Sequence, residues 1–322
     1  MIEAPRIILH NSDTREISAR LQAAHPDAHI KSCHTYDALP SLIDNFRPDV
    51  VYSVRFAGSQ GFPRDALFGV HGPKWLANGG AGTDHYGSWN PNRTTVTNAA
   101  GVAADMMAEY VLGGFLHFTL DVTGLQQDQQ NRVWQARTVV PLAGKTLLIV
   151  GLGNTGQALA LRAKAFGMTV VGTRSRAQPM PNVDEVHNAD TLQKLLPRAD
   201  FIAVCVPLIA ATRGLIGLAE IAAMKTGVYF ADVSRGGVVD QNALCDALRS
   251  GHIGGGALDV FEKEPLPPES PLWGLPNVIL SPHCSSVYAG WEDASFDLFL
   301  KNLTRWREGS ALINVVDPGR GY

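Results

Sequence analysis

Short apolar runs alternate along this chain with longer stretches in which apolar residues recur every three or four positions. The runs at residues 50–54, 146–150 and 201–206 are apolar along nearly their whole length. This pattern is typical of parallel strands that are buried on both faces. Residues 103–120 and 288–307 have helical spacing instead, and Phe, Leu and Trp share one face of the second stretch. Strands that alternate with helices predict an α/β protein built on parallel sheets.

The strand at 146–150 leads directly into the glycine-rich run GLGNTG at 151–156, which is followed by a helix and a second strand. Gly151 permits a tight turn, Gly153 lets backbone N–H groups approach a pyrophosphate, and Gly156 lets the helix pack closely on the sheet. The helix N-terminus adds partial positive charge. A purely structural glycine turn is the alternative, but the complete βαβ unit predicts a dinucleotide-binding site.

The residues after the second strand indicate which dinucleotide binds. An NAD site usually has Asp or Glu there to accept hydrogen bonds from the ribose 2′-OH. This chain has Thr173, Arg174, Ser175 and Arg176, with no carboxylate. Two guanidinium groups and two hydroxyl groups suit the 2′-phosphate of NADP. We therefore predict that NADPH is preferred over NADH, the alternative being a solvated basic loop.

Four polar or turn residues follow successive predicted strands, namely Pro207, Arg235, Asp259 and His283. Because parallel strands deliver their carboxyl ends to one edge of a sheet, these residues are expected beside the glycine-rich loop. Taken singly, each is compatible with a turn, a cap or an ion pair. Their convergence predicts an active site at this edge.

Two glycine-containing loops follow strands of the N-terminal region, at residues 55–61 and 78–84. Exposed backbone N–H groups in such loops can hold an anion such as a carboxylate. Either loop alone is compatible with a plain turn. Together they make Ala57, Gly58, Ala81 and Gly82 candidate substrate-binding residues.

Composition narrows the class of protein. The chain has 322 residues, enough for two domains with separate cores, and its 27 basic and 30 acidic residues give a net charge of −3. This balance disfavours a nucleic acid or an anionic membrane as partner. No run reaches the roughly 20 apolar residues that span a bilayer, and the N-terminus lacks a signal-peptide pattern, so a cytoplasmic protein is expected. Four widely spaced cysteines predict reduced thiols and no metal site.

With these motifs in place, the chain resembles the NAD(P)-dependent D-2-hydroxyacid dehydrogenases. The resemblance is carried by GLGNTG, by CVPL at 205–208 with Thr212, by SRGGVVD at 234–240, by GALDVFEKEPLP at 256–267 and by SPH at 281–283. It implies two doubly wound parallel-sheet domains. A Rossmann nucleotide-binding domain at 99–285 is inserted into a flavodoxin-like substrate domain formed by 1–98 and 286–322. A homodimer built on the nucleotide-binding domains is also implied.

The resemblance assigns roles to the residues at the predicted sheet edge. Its catalytic trio falls on Arg235, which would bind the substrate, His283, which would exchange a proton, and Glu264, which would hold the imidazole. Asp259 and the carbonyl of Val233 resemble the contacts of the nicotinamide carboxamide. The cofactor-binding residues predicted in all are Gly151, Gly153, Asn154, Thr155, Gly156, Thr173, Arg174, Ser175, Arg176, Val206, Pro207, Thr212, Val233 and Asp259.

Two positions depart from the family pattern, and the loop at residues 56–60 differs from the patterns of particular members, which leaves the substrate open. Asp232 stands where the family commonly has Asn, and Cys284 follows His283 where an apolar residue is more usual. Arg174 resembles the NADPH-dependent glyoxylate and hydroxypyruvate reductases. The resemblance therefore implies reduction of a small 2-oxo acid to a D-2-hydroxy acid. Formate oxidation is disfavoured because relatives with that activity have Gln in place of Glu264. The alternative from another class is a nucleotide-sensing binding protein, which turnover would exclude.

Overall fold

A computed structural model describes residues 4–54 and 61–319 and divides the chain into two compact units. The first unit consists of Met1–Val102 and Ala289–Tyr322, and the second of Ala103–Tyr288. The sequence-based expectation put these boundaries after residues 98 and 285. Two of the predicted substrate-binding residues, Ala57 and Gly58, lie outside the described residues.

The first unit contains a five-stranded parallel sheet. Its elements are β1 (Arg6–His10), α1 (Arg15–Ala24), β2 (His29–Cys33), α2 (Ala38–Phe46), β3 (Val50–Ser53), α3 (Arg64–Phe68), β4 (Trp75–Asn78) and β5 (Thr95–Thr97). The strand order is β2-β1-β3-β4-β5, with every pair parallel. This is the flavodoxin-like order.

The second unit contains a seven-stranded parallel sheet. Its helices are α4 (Ala104–Thr119), α5 (Val122–Asn131), α6 (Asn154–Ala165), α7 (Leu192–Leu195), α8 (Leu218–Ala222) and α9 (Gln241–Ser250). Its strands are β6 (Thr146–Val150), β7 (Thr169–Arg174), β8 (Glu185–Asn188), β9 (Phe201–Val204), β10 (Val228–Asp232), β11 (Ile253–Leu258) and β12 (Val278–Leu280). The order β12-β11-β10-β9-β6-β7-β8 is the Rossmann order extended by one strand. The predicted fold class is confirmed.

The last helix, α10 (Trp291–Glu308), belongs to the first unit. Phe296, Phe299 and Leu303 from this helix are buried in one core cluster with residues of β1, β3 and β4. The aromatic residues of the C-terminal helix therefore form core, as their spacing predicts.

Strand β6 shows why the central strands are apolar along their whole length. Leu148 and Val150 are buried in a core cluster that also contains residues of α7 and α9, while Leu147 and Ile149 are buried in a second cluster with residues of α4 and α6. Each such side chain contributes about 1.5–3 kcal/mol through burial. Burial on both faces fixes the end of β6, where the glycine-rich loop begins.

Among the described residues, three α-helices and one strand have no counterpart in the sequence-based expectation. They are α3, α5, α8 and β8. Helix α5 ends at Asn131, and its residues 126–131 are exposed apart from the half-buried Asp128. Asp121 caps this helix by accepting a hydrogen bond from Gly124 N at 3.2 Å. No helix within the described residues combines the length and the apolar character needed to cross a bilayer.

Candidate active site

The glycine-rich loop between β6 and α6 is fixed by backbone contacts. Gly151 has φ +105°, and a Cβ there would lie 2.7 Å from Val206 Cγ1. Its N–H donates to the carbonyl of Thr173 at 3.2 Å. A Cβ on Gly156 would lie 2.1 Å from the carbonyl oxygen of Gly151. The fold itself therefore requires glycine at positions 151 and 156.

Gly153 differs because nothing lies within 4 Å of the position of its Cβ. It is the N-cap of α6 in an extended conformation, and it is exposed together with Asn154. Thr155 is half-buried and its hydroxyl donates to Met107 Sδ at 3.6 Å. Open space before the N-terminus of a helix fits the pyrophosphate of a dinucleotide.

The end of β7 contains the residues predicted to select NADP. Thr173 is buried, and its carbonyl holds the glycine-rich loop. Arg174 is half-buried with Nη1 3.1 Å from Met180 Sδ, whereas Ser175 and Arg176 are exposed. Arg174 forms no ion pair with any described residue. Its guanidinium group therefore fits a phosphate ligand, while the side chain of Thr173 faces the protein interior.

The loop after β9 is folded by Thr212. Its hydroxyl donates to the carbonyl of Pro207 at 2.6 Å and accepts from Ile209 N at 2.9 Å. Val206 is half-buried beside Gly151. Thr212 thus shapes the loop that borders the glycine-rich turn.

The turn after β10 orients Arg235. Asp232 Oδ1 accepts hydrogen bonds from Ser234 N at 2.9 Å and Ser234 Oγ at 2.5 Å. Arg235 Nη1 donates to the carbonyl of Ser234 at 2.8 Å. A Cβ on Gly236 would lie 1.8 Å from the carbonyl oxygen of Phe261, so only glycine fits there. Backbone packing on both sides therefore fixes this turn.

His283 and Glu264 form a hydrogen-bonded pair. His283 Nδ1 lies 2.9 Å from Glu264 Oε2, and Glu264 Oε1 accepts from Phe261 N at 3.0 Å. Burial raises the pKa of Glu264, but the hydrogen bonds from His283 and Phe261 outweigh it and the net pKa is lowered. The carboxylate is thus held in its charged form against the imidazole, and each side chain remains about one-third exposed, at 34% and 36%.

Asp259 is buried beneath the loop that carries His283. Its carboxylate accepts hydrogen bonds from Ser281 Oγ at 2.6 Å, Cys284 N at 2.8 Å and Ser285 Oγ at 2.5 Å. Its carbonyl accepts from His283 N at 2.9 Å. Asp259 therefore anchors the histidine loop on both sides of His283.

Tyr110 of α4 extends this network. Its hydroxyl lies 2.6 Å from Ser281 Oγ, which donates in turn to Asp259. Burial raises the pKa of Tyr110 to about 12, so the phenol stays protonated. The sequence-based set of site residues omits Tyr110, Ser281 and Ser285. The serines that flank His283 in SPHCS were the available signal, whereas nothing in the sequence marks Tyr110.

Val233 is also buried at this edge, with its N–H donating to the carbonyl of Val204 at 3.2 Å. The parallel sheet thus brings the ends of β6, β7, β9, β10, β11 and β12 to one edge. Arg235, Asp259 and His283 follow three of these strands, as the pattern predicts.

In the first unit, two asparagines hold the loop that contains Ala81 and Gly82. Asn98 Nδ2 donates to the carbonyl of Ala81 at 2.7 Å, and Asn78 Nδ2 donates to that of Gly82 at 2.9 Å. The carbonyl oxygens of Ala81 and Gly82 are thus both engaged by asparagine side chains. Within the part of the chain that the structure describes, the N–H groups of Ala81 and Gly82 donate no hydrogen bond. The loop fits an anion ligand.

Comparison with known proteins gives consistent matches. A family model described as "D-isomer specific 2-hydroxyacid dehydrogenase, NAD binding domain" matches residues 112–285. The glyoxylate reductase of Thermococcus litoralis is 37% identical over 234 residues, which are 69% of this chain and 70% of that protein. The glyoxylate/hydroxypyruvate reductase B of Citrobacter koseri is 46% identical over 176 residues, 54% of each protein.

A solved structure is similar along nearly the whole chain. It is a D-isomer specific 2-hydroxyacid dehydrogenase from Xanthobacter autotrophicus in complex with NADPH and MES, with 30% identity and a TM-score of 0.84. The match covers 99% of this chain and 100% of that one. Among the curated relatives, the matched part spans 43% to 70% of the relative's own length.

Proposed function

This chain belongs to the D-isomer specific 2-hydroxyacid dehydrogenase family, and on that premise we propose that it is an NADPH-preferring reductase of a small 2-oxo acid. The product would be the D-2-hydroxy acid, with a substrate of the glyoxylate or hydroxypyruvate type. The observation that carries this proposal is the hydrogen bond between His283 Nδ1 and Glu264 Oε2, at the sheet edge where Arg235 and the glycine-rich loop also lie.

The proposed chemistry divides among three side chains. NADPH, when bound, supplies the hydride. Arg235 offers a planar cationic fork for the substrate carboxylate and the carbonyl oxygen. His283 donates a proton from Nε2 to the developing alkoxide, because Nδ1 is engaged by Glu264. The Glu264 carboxylate stabilises the protonated imidazole before transfer and fixes its orientation.

The proposed preference for NADPH rests on the end of β7. Arg174 has no carboxylate partner among the described residues, and Gly153 leaves open space at the N-terminus of α6. Ser175 and Arg176 supply a further hydroxyl and a further cation next to Arg174. A 30% identical relative has been solved with NADPH bound. These features support a site for the 2′-phosphate and the pyrophosphate.

The proposed substrate class rests on the relatives and on the loop of the first unit. Relatives at 37% and 46% identity are named glyoxylate reductase and glyoxylate/hydroxypyruvate reductase. The N–H groups of Ala81 and Gly82 suit a substrate carboxylate. We propose the same role for Ala57 and Gly58, whose placement the structure does not describe.

We also propose that the protein is a homodimer. Residues 131–140 of the second unit are all exposed, and Trp134 is fully so at 103%. Val133, Val139 and Val140 in this segment are exposed as well. A second copy of the chain is the occupant that the family resemblance implies for such an apolar surface.

Initial rates test the proposed reaction. Purified protein is assayed with NADPH and NADH separately against glyoxylate, hydroxypyruvate, pyruvate and phenylpyruvate, following oxidation of the reduced cofactor. Faster turnover with NADPH and a small 2-oxo acid is expected. Binding of NADPH without turnover of any acid would contradict the reductase and favour a nucleotide-sensing protein.

A further inference from the structure

Asp232 is a buried acid that the proposed reaction does not use. It ends β10, between β9 and β11 in the sheet, with only 4% of its surface exposed. Its Oδ1 accepts both the N–H and the hydroxyl of Ser234, which shapes the turn before Arg235. An asparagine side chain would accept the same two bonds through its carbonyl oxygen. The carboxylate therefore adds a charge that the turn does not need.

The surroundings of Asp232 disfavour that charge. The negative charge of Asp259, which follows β11, disfavours it, and the positive charge of Arg235 in the same turn favours it. Cys205 after β9 and Tyr110 on α4 are further titratable groups that interact with Asp232. Burial and then the charge of Asp259 raise the pKa of Asp232 to about 7, against the hydrogen bonds from Ser234. Asp232 therefore exchanges its proton in the neutral range of pH.

The carboxylate of Asp259 has more hydrogen-bond donors than that of Asp232. It accepts hydrogen bonds from Ser281, from Cys284 N and from both the N–H and the hydroxyl of Ser285. The carboxylate of Asp232 accepts two hydrogen bonds, from the N–H and the hydroxyl of Ser234. Asp232 is thus the less strongly hydrogen-bonded of the two neighbouring carboxylates.

We propose that Asp232 sets the relative affinity for the two redox forms of the cofactor, and that its ionised form favours NADP⁺ over NADPH. The inference rests on the proposed function, in which the carbonyl of Val233, the next residue, contacts the nicotinamide carboxamide. The nicotinamide ring is cationic when oxidised and neutral when reduced, so a nearby anion stabilises only the oxidised form. A unit charge within about 10 Å, at an effective dielectric of about 20, changes the ratio of the two affinities by roughly tenfold.

Proton release and NADP⁺ binding are then linked. If ionised Asp232 binds NADP⁺ more tightly, NADP⁺ must by reciprocity promote loss of the proton from Asp232 to solvent. NADPH, whose ring is neutral, promotes no such loss. The oxidised product would consequently dissociate more readily at acid pH than at alkaline pH, which favours turnover in the reductive direction.

Binding isotherms of NADP⁺ and NADPH to the full-length protein between pH 5.5 and 8.5 test this proposal. The adenosine 2′-phosphate titrates in both forms and cancels in the ratio of their dissociation constants. In the wild type we expect the preference for NADP⁺ to increase roughly tenfold from pH 5.5 to 8.5. In Asp232→Asn the ratio should stay constant near the acid-pH value of the wild type.

His283 also lies at this edge, so its contribution needs a separate control. His283→Gln should retain the dependence through Asp232, and the double variant Asp232→Asn/His283→Gln should lose it. Calorimetry of the unmodified protein near pH 7, in buffers of different ionisation enthalpy, should show more proton release with NADP⁺ than with NADPH.

The outcomes separate the two proposals. If Asp232→Asn retains the pH dependence and His283→Gln loses it, or if the wild-type ratio is flat while both cofactors bind, the role of Asp232 is refuted and the reductase stands. If neither NADP⁺ nor NADPH binds the wild type, the proposed function itself fails.

Discussion

At the scale of single residues, the hydrogen bond from His283 to Glu264 leads to a prediction about turnover. His283→Gln keeps a polar side chain but cannot donate a proton to the alkoxide, so we expect kcat for reduction to fall roughly 10²–10⁴-fold. Stopped-flow and steady-state rates with NADPH measure the loss. NADPH binding, followed by fluorescence titration, should be retained. A variant with an unchanged kcat would remove His283 from the mechanism.

The two arginines after β7 allow a matched test of cofactor choice. Arg174 is half-buried, whereas Arg176, two residues away, is exposed. Arg174→Asp places a carboxylate where an NAD site has one, so we expect kcat/KM to shift toward NADH, with a loss for NADPH on the order of tenfold or more. Arg176→Asp has the same change in charge and should shift the ratio less. Equal shifts in both variants would indicate a general electrostatic effect instead of a specific contact.

Asp232 also makes the stability of the fold depend on pH. Its pKa is raised from 3.8 to about 7 in the folded protein. Between pH 3.8 and about 7 the carboxyl group is protonated in the folded protein but ionised in the unfolded chain. The free energy of unfolding therefore decreases as the pH rises through this range. Above about pH 7 the group is ionised in both states and causes no further decrease. We expect Asp232→Asn to raise Tm by several degrees at pH 8 and by little at pH 4. Thermal unfolding of both proteins across this range checks the sign, and a constant difference in Tm would contradict it.

At the scale of elements, two glycines of the βαβ unit are expected to have different roles, Gly156 in folding and Gly153 in cofactor binding. Gly156→Ala places a Cβ 2.1 Å from a backbone oxygen, which no side-chain movement relieves, so we expect a loss of more than about 3 kcal/mol in the free energy of unfolding. Gly153→Ala places a Cβ in open space at an ordinary φ of −77°, and its stability should change by less than about 1 kcal/mol.

For Gly153→Ala we expect NADPH binding to change even though stability does not. Because the open space beside it is where we propose the pyrophosphate lies, Gly153→Ala should weaken NADPH binding while leaving the urea unfolding curve nearly unchanged. Fluorescence titration and urea unfolding measure the two effects separately. A Gly153→Ala protein that binds NADPH as tightly as the wild type would show that the cofactor does not approach this backbone.

The pattern of the sequence predicts elements well where at least one face is buried in a core and poorly where little of the element is buried. Strand β6 was predicted because both faces contact core, which makes it apolar throughout. Strand β8 was not, because it is an edge strand whose Glu185 and His187 bond to each other, and Glu185 also pairs with Arg198. Helix α5 has no buried residue and therefore no apolar face for a periodicity argument to detect.

At the scale of the whole molecule, the proposed catalytic residues can be recognised in the sequence because they belong to motifs at strand ends. The residues that hydrogen-bond to them and hold them in place cannot be recognised in this way. Tyr110 and Ser281 are 171 positions apart, and only the packing of α4 beside the sheet brings their oxygens within 2.6 Å. The same holds for the carboxylate of Asp259, whose partners in the histidine loop depend on the conformation of that loop, with His283 at φ +51°. Side-chain networks of this kind follow from the fold and cannot be derived from spacing.

The proposed homodimer gives a prediction that concerns the assembly. Arg137 ties the exposed segment 131–140 to α5 through ion pairs with Asp121 and Asp128, so Trp134 is presented from an anchored segment. A tryptophan buries about 150–250 Å² when a partner covers it. We expect Trp134→Lys to shift the sedimenting mass from that of a dimer to the 34.6 kDa of one chain. Leu218→Lys, at a side chain in the same unit that is 71% exposed, should leave the mass unchanged. A Trp134→Lys protein that remains dimeric would show that the interface lies elsewhere. A wild-type protein that sediments as a monomer would refute the homodimer.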